Sequence, residues 1–185
     1  LVAFMLTDLN DRLREVQRLD ILEAVDNQAM AYFSALPVHD VTDQTLALRS
    51  KALQKIGNVR QDEGQLAAAL ESYLAASELG AELLRRSPDD AERQAAYAET
   101  LNHLGNAQYF QGDRDRALES FTRAAELLAR ATAARPQDDW LGVLSSARTN
   151  AGRVLETRGE FEAARTLYES VLSTATLLAS RQPGD

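Results

Sequence analysis

Leu104-Gly105-Asn106-Ala107-Gln108-Tyr109-Phe110-Gln111-Gly112-Asp113, followed by Ala117, Phe121 and Ala124, is the stretch on which the fold turns. Its two glycines are seven residues apart, and the alanine, the aromatic and the second alanine follow the second glycine after five, nine and twelve residues. The same skeleton occurs twice more without gaps. Upstream it reads Ile56-Gly57 to Gly64, then Ala69, Tyr73 and Ala76; downstream it reads Ala151-Gly152 to Gly159, then Ala164, Tyr168 and Val171. Pro88, Pro136 and Pro183 punctuate the copies, so the period is 48 and then 47 residues. Self-similarity at a fixed period of this size marks a stacked-repeat architecture, in which each unit buries its apolar face against its neighbours.

Each position has a physical reading. A glycine inside a helix costs about 1 kcal/mol relative to alanine, so Gly57, Gly105 and Gly152 imply that another helix comes close. The second glycine of each pair suits a left-handed cap that ends the helix. Asp113, directly after Gly112, is placed to cap the next one. Ala and aromatic, four residues apart, fall on one helical face as a hole and a knob. The prolines cannot continue the preceding helix, and Asp89-Asp90 and Asp138-Asp139 suit the start of the next through capping and the helix dipole.

This pattern resembles the tetratricopeptide repeat family: an apolar-Gly pair in helix A, a turn glycine, then Ala, aromatic and Ala in helix B, then Pro. The resemblance covers about residues 43–185 and implies an all-α fold, a right-handed alpha-alpha superhelix built as a solenoid of antiparallel helical hairpins. Two departures stand out. The family's repeat is about 34 residues, and here each of the two intervals within the repeat gains about seven residues, close to two helical turns, which keeps the same faces in phase. The large aromatic that the family places three residues after the first glycine is replaced by Arg60, Gln108 and Leu155. Long repeats of this kind resemble arrays in large bacterial multidomain signalling proteins, joined there to kinase, nucleotide-binding or DNA-binding modules.

The periodicity predicts repeat helices at about 43–62 and 65–86, 90–111 and 113–134, and 138–158 and 160–181, giving three repeats over about 43–89, 90–137 and 138–185. Residues 1–42 are expected to form a helical hairpin capping the array, with Val2, Met5, Leu6, Leu9, Leu13 and Val16 on one stripe and Leu22, Val25, Ala29, Tyr32, Phe33 and Leu36 on another; the alternative is a helix pair that dimerises or links to an upstream domain. At the other end Leu167, Val171, Leu172, Leu177 and Leu178 need cover. A further repeat is the first expectation and self-association through the terminal helices the second. The chain begins at Leu1 rather than Met, which reads as a piece of a longer polypeptide.

Composition excludes several function classes. A formal net charge of −8 opposes general affinity for nucleic acid and favours a basic peptide or protein segment. There is no cysteine, so disulfides, thiolate metal sites and thiol nucleophiles are out; this fits a reducing cytoplasm. No apolar run reaches a membrane-spanning length. With two distant histidines, His39 and His103, no metal site is expected, and no phosphate loop, dinucleotide fingerprint or zinc-protease helix occurs. The expected protein is not an enzyme and has no cofactor.

In the resembled family, helix A of each repeat lines the concave groove. Carried over by distance from the first glycine, the groove candidates are Lys51, Gln54, Asn58 and Gln61 in the first repeat, and Glu99, Asn102, Asn106 and Tyr109 in the second. The third supplies Ser146, Thr149, Arg153 and Glu156. Stacked amides such as Asn58 and Asn106 carry both a donor and an acceptor and suit the backbone of an extended peptide. The family's clamp for a C-terminal carboxylate needs a lysine where Gln54 stands, so no such clamp is expected. Trp140 is expected to pack on the preceding helix pair, and Arg114, Arg116, Arg123, Arg130 and Arg135 to pair with neighbouring acids on the outer face. The expectation is a scaffold that binds a peptide or protein segment in the groove; the alternative is a sensory, regulatory or oligomerisation segment controlling a fused signalling domain.

Overall fold

A computed structural model of the protein describes residues 42–181. The N-terminal hairpin expected over 1–42 and the linker around Pro183 lie outside the described residues. Six helices follow in order: α1 (Asp43–Asp62), α2 (Leu66–Arg86), α3 (Ala91–Phe110), α4 (Arg114–Ala134), α5 (Asp138–Thr157) and α6 (Phe161–Arg181). These bounds agree with the sequence expectation to within a residue, and the described residues contain no strand. Two compact units divide at Arg86 and Ser87. The first holds the hairpin α1–α2; the second holds α3–α4 and α5–α6, with α4 packed on α5 and α3 beside α5.

The three helix-A glycines each meet the aromatic of their own helix B. A Cβ built on Gly57 would stand 2.5 Å from the Tyr73 ring, one on Gly105 2.7 Å from Phe121, and one on Gly152 2.6 Å from Tyr168. Real carbon atoms do not approach so closely, so only glycine leaves room for the ring. Tyr73 and Phe121 are fully buried as a result. Burying such a side chain is worth roughly 1.5–3 kcal/mol, more than the glycine's propensity cost of about 1 kcal/mol. The close approach expected at these glycines is therefore made by a ring rather than by backbone.

The second glycines have φ of 76°, 88° and 78° at Gly64, Gly112 and Gly159, the left-handed region that glycine enters without strain. Each ends its helix in the same way. The N–H one residue beyond the glycine donates to the carbonyl five residues back, Gln65 to Arg60, Asp113 to Gln108 and Glu160 to Leu155, while the glycine N–H donates to the carbonyl three back. This is the Schellman arrangement, which satisfies carbonyls the helix would otherwise leave bare. Asp113 then caps α4 by accepting from the Arg116 N–H at 3.2 Å, and Asp90 caps α3 by accepting from Glu92 and Arg93. The third repeat differs: Gln137 occupies the N-cap of α5 without a side-chain cap bond, and Asp138 and Asp139 lie in the first turn, where a negative charge favours the helix dipole.

The replaced aromatic of helix A has a matched partner in helix B. Arg60 donates to the Ser72 hydroxyl at 2.9 Å and to the Ala68 carbonyl at 3.3 Å, and the Ser120 hydroxyl donates to Gln108 at 2.8 Å in a buried contact. In the third repeat the same two positions hold Leu155 and Leu167, both drawn into the interior. Polar stands with polar and apolar with apolar. That is the expected consequence of a buried group needing its partner more than the pair needs to be polar. Ion pairs close the open ends of two hairpins, Arg86 with Asp43 at 2.7 Å and Arg135 with Glu92 at 2.9 Å, and being exposed they contribute at most about 1 kcal/mol each.

Copying the third repeat into the second tests this matching. Gln108→Leu alone is expected to destabilise by about 1–2 kcal/mol in urea unfolding, because Ser120 loses its buried acceptor. Gln108→Leu with Ser120→Leu is expected to recover most of that loss. Equal or greater loss in the double variant would show the two positions to be independent.

Candidate functional site

The helix-A faces carry the candidate residues, and the two units are described separately. In the first unit, Lys51 is exposed, while Gln54, Asn58 and Gln61 are half-buried on α1. The Tyr73 hydroxyl, projecting past Gly57, donates to Asn58 Oδ1 at 2.7 Å and reaches Gln61 Oε1 at 3.4 Å. Part of the amide capacity in this repeat is therefore spent within the hairpin.

In the second unit, α3 and α5 bring candidates together across repeats. The Arg153 guanidinium lies 5.4 Å from the centre of the Tyr109 ring, within cation–π range. Asn150 Nδ2 donates to Asn102 Oδ1 at 3.1 Å. Tyr109 also meets Phe110 edge-on at 5.9 Å and packs against the cluster of Ala117, Phe121, Ala151 and Val154. Glu99, Ser146, Arg153 and Glu156 are exposed, and Asn102, Asn106, Tyr109 and Thr149 are half-buried. Ser146 is turned back onto the Gly142 carbonyl at 3.1 Å. No candidate is fully buried.

The identity of the helix-B aromatic decides how much of this face is engaged from within. Tyr168 donates its hydroxyl to Glu156 at 2.8 Å, as Tyr73 does to Asn58 and Gln61. Phe121 has no hydroxyl. Among the described residues, Asn106 consequently makes no side-chain hydrogen bond, although it occupies the position of Asn58 one repeat later. Sequence reasoning missed these hydroxyl contacts, and it missed Asn150, which takes the partner role across from Asn102. The 47-residue spacing aligns Asn102 with Thr149, whereas the contact runs to the residue 48 positions on. The tyrosine-against-phenylalanine difference was the available signal.

Electrostatics are mild. Tyr168 is pushed up to about 12, first by its burial against α5 and then by the Glu156 carboxylate that accepts its proton. Burial lowers Arg148 from the ordinary arginine value. On the outer surface Arg85 and Arg86 hold the Glu82 carboxyl down at about 2. Of the other residues singled out in the sequence, Arg135 lies 5.8 Å over the Trp140 ring, and Arg116 and Arg123 pair with Asp113 and Glu126. His103 is half-buried on α3. Among the described residues, no group of three or more acids and histidines could hold a metal ion, and no helix is long and apolar enough to cross a membrane.

Residues 100–138 match the tetratricopeptide repeat family model, a span running from the second half of α3 through α4 to the start of α5. Among solved structures the chain is similar to BtubC (BKLC) from P. vanneervenii, with a TM-score of 0.51 and 14% identity over 97% of this chain and 82% of that one. It is also similar to the MamA protein, with a TM-score of 0.43 and 14% identity over 100% and 97% of the two chains. At these identities the likeness concerns the fold alone. No curated protein matches the chain in sequence.

The hydroxyl contact at Tyr168 can be read by titration. An unperturbed tyrosine titrates at about 10; here the fold favours the neutral form, so this contact's contribution to stability is complete below that value and is lost as pH rises toward 12. The ultraviolet difference titration between the native chain and Tyr168→Phe is expected to place one tyrosine near 12, and Glu156→Gln should bring it part of the way down, since burial is the larger cause. A midpoint at the ordinary value would remove the contact.

Proposed function

We propose that this tetratricopeptide-like repeat protein is a protein-interaction scaffold that binds an extended peptide or protein segment on its helix-A face, centred on the second repeat. The observation that carries this reading is the contrast between repeats. Tyr73 and Tyr168 spend their hydroxyls on Asn58 and Glu156, while Phe121 leaves Asn106 with both amide groups available beside Tyr109 and Arg153. An amide offers a donor and an acceptor to a peptide bond, and the Arg153–Tyr109 stack gives a rigid amphipathic surface of the kind enriched at interaction hot spots.

The partner chemistry follows from charge. Glu99 and Glu156 are exposed beside this strip, Arg153 is already placed over an aromatic ring, and the whole chain carries −8. A segment with Lys or Arg side chains flanking its contact residues suits that field. The tetratricopeptide match over residues 100–138 supports an interaction scaffold in general.

Selection of short displayed peptides on the purified chain tests the reading. Peptides that bind are expected to be basic, and to lose about tenfold or more in affinity, 1.4 kcal/mol, with Asn106→Arg or Tyr109→Ala while circular dichroism is unchanged. Arg123→Glu on the outer face of α4 should leave binding intact. If Arg123→Glu abolished binding and the helix-A variants did not, the site would lie on the helix-B face instead.

A further inference from the structure

Among the described residues the large exposed apolar side chains are Leu74, Phe110, Phe161, Leu172 and Leu177. Four of them lie on the helix-B elements α2 and α6; Phe110 alone lies on a helix A, as the last residue of α3. The same position holds Asp62 one repeat earlier and Thr157 one repeat later, both exposed and polar. Phe110 is 58% exposed. It follows Asn106 by four residues and Glu99 by eleven, so the three fall on one stripe of the helix.

The Phe110 ring is seated rather than loose. It meets Tyr109 edge-on at 5.9 Å, and Tyr109 in turn packs on the cluster of Ala117, Phe121, Ala151 and Val154. Arg153 completes the row at 5.4 Å from the Tyr109 ring. A ring held by a fixed ring is an apolar surface already in place, so covering it orders little on this side of a complex. Apolar and aromatic side chains suit it, through area burial and edge or offset ring contact. A cation also stacks on a phenyl face, but Arg153 has no carboxylate partner within ion-pair distance among the described residues. Its charge lies about a Debye length, roughly 10 Å at 0.1 M salt, from anything seated on Phe110, and it disfavours a second cation there.

The opposite end of the stripe has the opposite preference. Glu99 is exposed and makes no ion pair among the described residues, whereas Glu156 already accepts the Tyr168 hydroxyl. At 1.5 Å per residue, Glu99 and Phe110 stand about 16 Å apart along α3, a distance that an extended peptide spans in about five residues. Asn106 lies between them with a donor and an acceptor for the intervening backbone.

On the helix-A reading of function, on which this rests, we propose that the bound segment lies along α3 with an apolar anchor on Phe110 and a Lys or Arg about five residues away on Glu99. The second repeat then selects an amphipathic segment, not basic sequence at large. The polar residues Asp62 and Thr157 deny the neighbouring repeats the same anchor.

Peptides selected by display on the native chain test this. Binders are expected to share an apolar residue and a Lys or Arg about five positions apart. Phe110→Thr, which copies the third repeat, should weaken them by about tenfold or more with circular dichroism unchanged; Phe110→Leu, which keeps an apolar surface, should weaken them far less. Replacing the peptide's apolar residue by Ala should cost as much on the native chain and nothing further on Phe110→Thr, the mark of direct contact. The basic residue should couple in the same way to Glu99→Gln. Binding that is lost with Asn106→Arg but indifferent to Phe110→Thr leaves helix A as the site and overturns the anchor. Coupling of the basic residue to Phe110→Thr also overturns it, since the ring then takes a cation. Indifference to Asn106→Arg, or no binder at all, removes the helix-A reading and the anchor together.

Discussion

The contact between a helix-A glycine and the aromatic ring of its own helix B is the constraint on which the described hairpins depend. It recurs three times with nearly the same geometry, and each time a Cβ on the glycine would overlap the ring. Because the ring lies against helix-A backbone, it fixes the separation of the two helices and the rotation of each about its axis. The alanines at Ala69, Ala117 and Ala164 are almost wholly buried in consequence. The positive-φ turn glycines then set the reversal of the chain that brings ring and glycine together.

That packing contact also governs the candidate face. A ring seated on the glycine projects its far end past helix A, toward the surface where the groove candidates lie. When the ring is tyrosine, its hydroxyl reaches Asn58 and Gln61 or Glu156 and ties those side chains to the hairpin. When it is phenylalanine, as in the second repeat, the hairpin is held equally well but asks nothing of Asn106. One hydroxyl group thus separates the repeats in which the ring ties down Asn58 or Glu156 from the one in which Asn106 makes no side-chain hydrogen bond. The cross-repeat contacts of Asn102 with Asn150 and of Tyr109 with Arg153 add a surface that neither helix presents alone.

Most of the fold was legible because the repeats report on one another. Glycine spacing, the caps at Asp90 and Asp113, and the linker prolines follow from local backbone chemistry, and helix bounds read from them agree with the structure to within a residue. The site was legible only in part. Helix A could be assigned as the candidate face, but which of its residues are engaged depends on where a ring ends in space, and the sequence pattern treats Tyr73, Phe121 and Tyr168 as one aromatic class. Asn150 was missed because a contact between neighbouring helices need not follow the residue-by-residue equivalence of the repeats. Gln137, expected to yield the capping role to aspartate, shows the same limit at a helix start, where a one-residue shift changes which side chain meets the free N–H groups. The polar pair of Gln108 with Ser120 needed the partner position to be known before the departure from the family aromatic made sense.

A double-mutant cycle on Gly105 and Phe121, followed by urea unfolding of the chain, tests the central constraint most directly. Gly105→Ala is predicted to destabilise by about 1–3 kcal/mol, the usual cost of overpacking, even though alanine is the better helix former. With Phe121→Leu already in place, the same substitution should cost little or stabilise, giving a coupling above about 1 kcal/mol. The contradicting result is Gly105→Ala stabilising the native chain by the roughly 1 kcal/mol of helix propensity, with the two substitutions additive; the glycine would then be unrelated to the ring.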